Sequence, residues 1–382
     1  MPYLKRHLIG LAIAALATTA NAGDPAADKG RHAPLAPEIA GLVDREVQHA
    51  MDGLQGQEGL MSLRQMENLH ELESLAALGE LKAVAAMATL ETLASNAEYM
   101  DSNGRGGRDS EANGPTIDEH RPLNADGRVY VNNVAGSVDV ATWDKNEVAV
   151  SGSLGSHVEK LEISGDPSSL SIAVRLPRKS HNTGDTFLKL RVPVGARVDL
   201  DTVSADVSVD GTRGAVKVNT VSGDVGLAIG SPEVTVQTVS GDLKLRSPAR
   251  LTRINSVSGD LRMAGLQGKL NVETVSGNVE LEGGKFSELR LKSISGDMRL
   301  DVALADGAQI TGETLSGGIT MIVPTALTGT ALLKSFSGEA FCDGARTVEY
   351  QTGHKREYVW GDGRGAHIEL SSFSGDIRIE RK

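Results

Sequence analysis

From Val198 to Ile379 apolar residues fall on alternate positions in short runs, and a signature of small and polar residues separates the runs. Alternation with a period of two is strand patterning. The signature recurs: TVSADVSV begins at 202, TVSGDVGL at 220, TVSGDLKL at 238, SVSGDLRM at 256 and TVSGNVEL at 274, each 18 residues after the last. The series continues with looser spacing as SISGDMRL at 293, TLSGGITM at 314, SFSGEAFC at 335 and SFSGDIRI at 372, and a fainter copy, NVAGSVDV, opens it at 133.

The unit from Val216 to Glu233 shows what the period encodes. Val216 and Val218 alternate before the signature, and Val225, Leu227 and Ile229 alternate after it, which makes two short strands per unit. Neither strand can bury its apolar face alone. Copies stacked at the inter-strand spacing of about 4.8 Å enclose a continuous interior, so the predicted fold is mainly β, a parallel β-solenoid of two-strand rungs. Gly223, Gly241, Gly259, Gly277, Gly296 and Gly375 recur at one corner, where a left-handed backbone angle suits glycine. Gly230-Ser231-Pro232 and Arg246-Ser247-Pro248 mark a second corner. Residues 143–200 read as longer first rungs or a small capping sheet, and 343–367 as a cap or insertion before the last repeat. The solenoid domain is assigned to 119–382.

The first hundred residues follow other periods. Ile39, Leu42, Val43, Val47, Ala50, Met51 and Leu54 recur at spacings of three and four, one face of an amphipathic helix. From Leu60 to Leu93 an apolar residue stands at every third position. On a helix each such step retreats about 60°, so these side chains wind around the axis and no single seam uses them all. The segment 23–100 is therefore expected to be helical, packed on the main domain or self-associating, with a membrane-surface role disfavoured by its acidic balance. Residues 101–118, DSNGRGGRDSEANGPTID, read as a flexible linker. At the start, Lys5 and Arg6 precede an apolar stretch from Leu8 to Ala17 and an Ala20-Asn21-Ala22 cleavage pattern. That is the form of a signal peptide over 1–22, too short for a spanning helix, and it predicts an exported protein of the periplasm or cell surface.

Composition narrows the function. Lys plus Arg number 39 against 50 Asp plus Glu, a net charge of −11 that argues against nucleic acid as a partner. With 44 Gly, five Phe and two Trp, the core must be aliphatic, unlike an aromatic-lined pocket. Cys342 is the sole cysteine, so no intramolecular disulfide forms.

The iterated T-V-S-G-D-V/L unit, the opening VYVNNVAGSVDVATWDKNEVAV at 129–150 and the closing GDGRGAHIELSSFSGDIRI at 361–379 together resemble the bacterial family described as "putative adhesins", exported proteins of repeated β-strands. The match spans about 120–382. The resemblance implies a cell-envelope location and a binding or structural role, and it transfers no catalytic residue.

The repeat also stacks polar side chains. Asp206, Asp224, Asp242, Asp260, Asp297 and Asp376 should stack at one corner, which raises a weak calcium site. Calcium takes six to eight oxygens, so the favoured reading is a carboxylate closing its own turn onto nearby amides. Ser222, Ser240, Ser258, Ser276 and Ser295 recur in the same way, unlike a singular nucleophile. The histidines are scattered singly, without zinc spacing, and no cofactor is implied. Gly361, Gly363 and Gly365 lead into a strand-like run and read as a turn. Cys342 aligns with Leu227 and Leu245 and should face inward. Tyr350, His354, Arg356, Tyr358 and Trp360 gather aromatic and basic groups as a candidate ligand outcrop. The expected function is a non-catalytic envelope protein that binds a protein or glycan. Two alternatives are an envelope-stress docking module acting through the helical segment and a polysaccharide-active β-helix enzyme.

Overall fold

The computed structural model describes residues 115–156, 158–177, 184–348 and 355–382. The stretch read as a signal peptide, the one expected to be helical and nearly all of the one read as linker lie outside the described residues, as do Tyr350 and His354. The first strand, β1 (Thr116–Pro122), begins three residues inside that stretch.

Two groups of strands build the N-terminal part: β2 (Arg128–Trp143), β3 (Glu147–Ser153), β4 (Lys160–Asp166), β5 (Ser169–Arg175) and β6 (Thr186–Pro193), then β7 (Arg197–Asp210), which opens the regular repeat. The repeat continues as pairs: β8 (Val216–Ser222) and β9 (Val225–Ala228), β10 (Glu233–Ser240) and β11 (Leu243–Arg246), β12 (Leu251–Ser258) and β13 (Leu261–Ala264). Then come β14 (Gly268–Ser276), β15 (Val279–Ser295), β16 (Met298–Ser316) and β17 (Ile319–Val323). The C-terminal part holds β18 (Gly329–Ser337), β19 (Ala340–Cys342), β20 (Arg346–Val348), β21 (Lys355–Trp360), β22 (Ala366–Ser374) and β23 (Ile377–Arg381).

All 23 strands belong to one hydrogen-bonded sheet that folds at the signature corner into two facing halves. Neighbouring rungs pair in parallel and in register: Val216, Val234 and Thr252 align on one half, Val225, Leu243 and Leu261 on the other. This is the parallel solenoid that the 18-residue period predicts. The inward positions Val234, Val236, Leu243 and Leu245 of one rung are each 0–2% exposed. Burying four such side chains contributes about 6–12 kcal/mol of gross transfer free energy per rung, an upper figure against an extended chain. A hydroxyl sits where the strand reaches the corner: Thr220, Thr238, Ser256, Thr274 and Ser293 are 0–2% exposed. Each donates to the carbonyl two residues on, as Thr220 does to Ser222 at 3.1 Å, so the buried oxygen is satisfied where the chain bends.

Both ends depart from simple stacking. On β2, which pairs with β7, lie β5 and β6; antiparallel β4 covers β5, and antiparallel β3 and then β1 extend from β6. β5 and β6 thus run along the two halves of β2 as a first rung, and antiparallel β4, β3 and β1 make a small sheet that caps it. At the other end β21 runs antiparallel to β18 and carries antiparallel β20 on its other edge.

Candidate functional site

The corner aspartates do stack, but their bonding differs from closure of their own turns. The Oδ1 of Asp206 accepts the backbone N–H of Asp224 in the next rung at 2.9 Å, and Asp224 accepts from Asp242 at 2.9 Å. Asp242 accepts from Asp260 at 3.0 Å, Asp260 from Asn278 at 3.0 Å, Asp297 from Gly318 at 2.8 Å and Asp376 from Glu339 at 2.9 Å. The reason is geometric. A positive-φ glycine, Gly223, Gly241, Gly259, Gly277 or Gly317, stands directly before the donor amide of Asp224, Asp242, Asp260, Asn278 and Gly318, where the chain turns between rungs. One oxygen of each carboxylate therefore ties rung to rung. Among the described residues no group of three potential metal ligands is brought together. The repeated serines pair across rungs outside the core, Ser222 with Ser240 and Ser240 with Ser258, with no histidine beside them.

The candidate outcrop resolves into separate roles for its described members. Tyr358 and Trp360 are 5% and 2% exposed and belong to the core. The Tyr358 hydroxyl and the Arg356 guanidinium both donate to the carbonyl of Ala340, at 3.0 and 2.9 Å, and the Trp360 indole donates to that of Asp343 at 3.1 Å. Tyr358 and Arg356 thus satisfy a carbonyl of β19, and Trp360 satisfies the one just beyond its end. Cys342 is 7% exposed among inward positions, and burial pushes its thiol pKa up to about 12, with Asp343 adding to the effect.

Two features escape the repeat. Phe341, 52% exposed, ends a column otherwise made of Ser208, Gly226, Lys244, Arg262, Glu280, Arg299, Thr320 and Arg378. Nearby, Phe336 and Phe373 stack with ring centroids 4.8 Å apart. Three of the five phenylalanines thus lie in the last two rungs.

The second feature is a groove of about 390 Å³ in the N-terminal cap, bordered by Asp118, His120, Asp139, Trp143, Lys189 and Arg191. Trp143 is half-buried, and its indole donates to the carbonyl of Glu147 at 2.8 Å, which fixes the ring at the end of β2. Lys145 Nζ lies 4.7 Å from the ring centroid, and the His120 ring is 6.2 Å away. No ion pair among the described residues involves Asp139, Lys189 or Arg191, so both signs of charge and an aromatic surface face the same concavity. A further cleft of about 540 Å³ between β1 and β4 is lined by charges that pair with each other or with neighbours, as Arg121 does with Glu119 at 2.9 Å. There Arg175 donates to Glu162 and, helped by Lys160, holds its carboxyl below the usual range.

On the outer face near the N-terminal end, the Tyr130 hydroxyl donates to Asp201, which also accepts from Asn219 at 2.6 Å. Burial raises the Tyr130 pKa, with the hydrogen bond to Asp201 second. Asp199 is also raised by burial, against the attraction of Arg128 at 3.4 Å. Alternation places these groups outward, and nothing in the local sequence marks them. Trp143 stood in the sequence as one of two tryptophans beside Asp-Lys, but only the return of β6 and β1 to β2 and β3 makes its surroundings concave.

The class these features define is a capped parallel β-solenoid whose recurring polar groups hold rung to rung. The chain belongs to the Toastrack DUF4097 family, whose model matches residues 122–264 and 249–380. Similar solved structures include a "putative adhesin" from Bacteroides fragilis, 11% identical over 69% of this chain and 97% of that one, with a TM-score of 0.33. Another, from Parabacteroides distasonis, is 11% identical over 70% of this chain and 98% of that one, at 0.27. A "putative cell adhesion protein" from Clostridium sporogenes is 8% identical over 70% and 100%, at 0.18. No curated protein matches the chain. Among the described residues no helix is long and apolar enough to cross a membrane.

Proposed function

We propose that this chain is an exported, non-catalytic adhesin-like protein of the cell envelope, and that its solenoid domain, 119–382, binds a glycan partner in the Trp143 groove. The groove carries the reading. A sugar offers C–H faces to an aromatic ring and hydroxyls to charged donors and acceptors, and Trp143, Asp139, Lys189 and Arg191 supply both kinds of group around one concavity. The non-catalytic part is supported by the corner carboxylates, each with one oxygen occupied by a neighbouring rung's amide. A general acid or base needs a carboxyl that converges on a substrate.

The test is binding of the full chain to purified envelope polysaccharide, read by retardation in an affinity gel. Trp143→Ala and the double change Asp139→Asn with Lys189→Ala should each weaken binding roughly tenfold or more, about 1.4 kcal/mol. Because Trp143 also braces the β2–β3 turn, the double variant separates binding from folding. Full retention by both variants overturns the reading. Deleting 23–114, which leaves β1 and the groove intact, and finding the partner lost while the groove variants bind normally would move the function to the N-terminal segment.

A further inference from the structure

The repeat that comes last in the chain does not come last in space. β22 lies between β16 and β18, parallel to both, and β23 lies between β17 and β19. The rung at 372–379 is thus inserted between the rung at 314–321 and the rung at 335–342, which was made before it. We propose that this C-terminal rung is exchanged between copies, so that a second copy of this chain is a binding partner whose β22 and β23 fill the slot.

Three observations carry this, independently of the glycan reading. First, the slot is complete without the rung's own chain. Its walls are the inward residues Ile310, Ile319 and Met321 on one side and Ala331, Leu333 and Ala340 on the other. Any identical β22–β23 segment meets the same register, buries Ile368, Leu370, Ile377 and Ile379 and accepts the same carboxylate ladder. Even the last residue keeps its place, because the Lys382 N–H donates to Val323 and its carbonyl accepts from Thr325, both at 3.0 Å, and both belong to the slot side.

Second, one short segment decides between the closed and exchanged forms. Gly329 pairs with Trp360 on one side and with Ala366 on the other, so residues 361–365 must carry the chain across β18. That crossing is two strand spacings, about 9.6 Å. The segment is Gly-Asp-Gly-Arg-Gly, and Gly361, Gly363 and Gly365 have φ of 63°, 77° and 123°. Glycine makes the tight crossing accessible, and it also lets the segment straighten at little cost. A straightened hinge delivers β22 outward to another molecule.

Third, the stability of the two forms differs only at the hinge and in concentration, since the contacts are shared. A five-residue tether holds β22 near its own slot at an effective concentration on the order of millimolar, so dilute protein closes on itself and crowded protein exchanges.

The test uses the full chain with Cys342→Ser. Thr320 and Arg378 are register partners on β17 and β23, neither of them buried, at a spacing a disulfide can bridge. One preparation carries Thr320→Cys and another Arg378→Cys; they are unfolded together, refolded at low and at about hundredfold higher concentration, and oxidised. Exchange predicts a covalent dimer of the two variants that rises roughly tenfold or more between the two conditions. Its absence, while a chain carrying both cysteines closes its disulfide, overturns the proposal. A second variant deletes Asp362 to Gly365. Two Cα steps then span at most about 7.6 Å, short of the crossing, so closure within one chain is blocked. This variant should be a folded dimer at all concentrations, and a folded monomer overturns the proposal. If this variant does not fold, the cysteine mixture alone decides.

Discussion

At Gly259 the backbone turns with φ 118°, and a Cβ built there would stand 2.2 Å from the carbonyl oxygen of Gly241 in the rung below. That contact is with backbone, which cannot swing aside, so Gly259→Ala must push two rungs apart as well as adopt a strained angle. The expected cost is about 2–3 kcal/mol or more. Gly283, at φ 69° with open space around it, is the control. Its alanine variant should lose only about 1–2 kcal/mol, and urea melts of the pair check the contrast. The next residue in the signature tests the ladder. Asn278 already does what the aspartates do, accepting the Asp297 amide at 3.1 Å through Oδ1. Asp242→Asn should therefore leave the urea midpoint nearly unchanged, while Asp242→Ala should cost about 1 kcal/mol. Equal losses would show that charge, not the hydrogen bond, matters at this position. Cys342 makes a pH prediction. Its thiol pKa is raised to about 12 by burial, above the unfolded value, so the neutral thiol's contribution is fully present at neutral pH. It is lost progressively as pH rises from the unfolded thiol's range toward about 12. Native protein should resist iodoacetamide at pH 8, and unfolding should expose the thiol; rapid alkylation of native protein would contradict its burial.

Elements show which patterns can be read from a single chain. Strand alternation, the glycine corner and the inward position of Cys342 were legible because each is set by residues within one 18-residue unit. The caps were legible only as irregularity, since their pairings join strands far apart in sequence. The fate of Tyr358 and Trp360 shows the limit. Aromatic and basic residues close together suggest a ligand surface, and alternation along β21 allows either face to look outward. Facing them is β19, a three-residue edge strand, whose Ala340 carbonyl and the Asp343 carbonyl just after it take donors from Tyr358, Arg356 and Trp360. Charged and aromatic groups supplied by the same strand thus satisfy both carbonyls, which also protects the edge from pairing with other chains. Tyr358→Phe, which keeps the ring in the core and removes the donor to Ala340, should lower stability by about 1 kcal/mol. A differential-scanning melt reads this directly. No change in midpoint would mean that Arg356 alone satisfies the carbonyl.

For the whole molecule, the order of rungs in space decides how stability is distributed. In a solenoid stacked in chain order the terminal rung has one neighbour, so it opens first and its amides exchange fastest. Here the chain ends in β22 and β23, which have a rung on each side and inward side chains with essentially no exposure. No feature of SFSGDIRI distinguishes an inserted rung from a terminal one, because every copy of the signature presents the same edges above and below. Only the 37-residue step from the start of the previous signature, more than twice the usual 18, hints that the chain leaves the stack and returns. Native-state hydrogen exchange should therefore find Ile368, Leu370, Ile377 and Ile379 protected to the level of Val236 and Leu245 in the middle of the stack. The fast-exchanging amides should belong to β19 and β20, which precede them in sequence but lie outside them in space. If the final residues exchange first, the C-terminal rung is a frayed end and the inserted order is wrong.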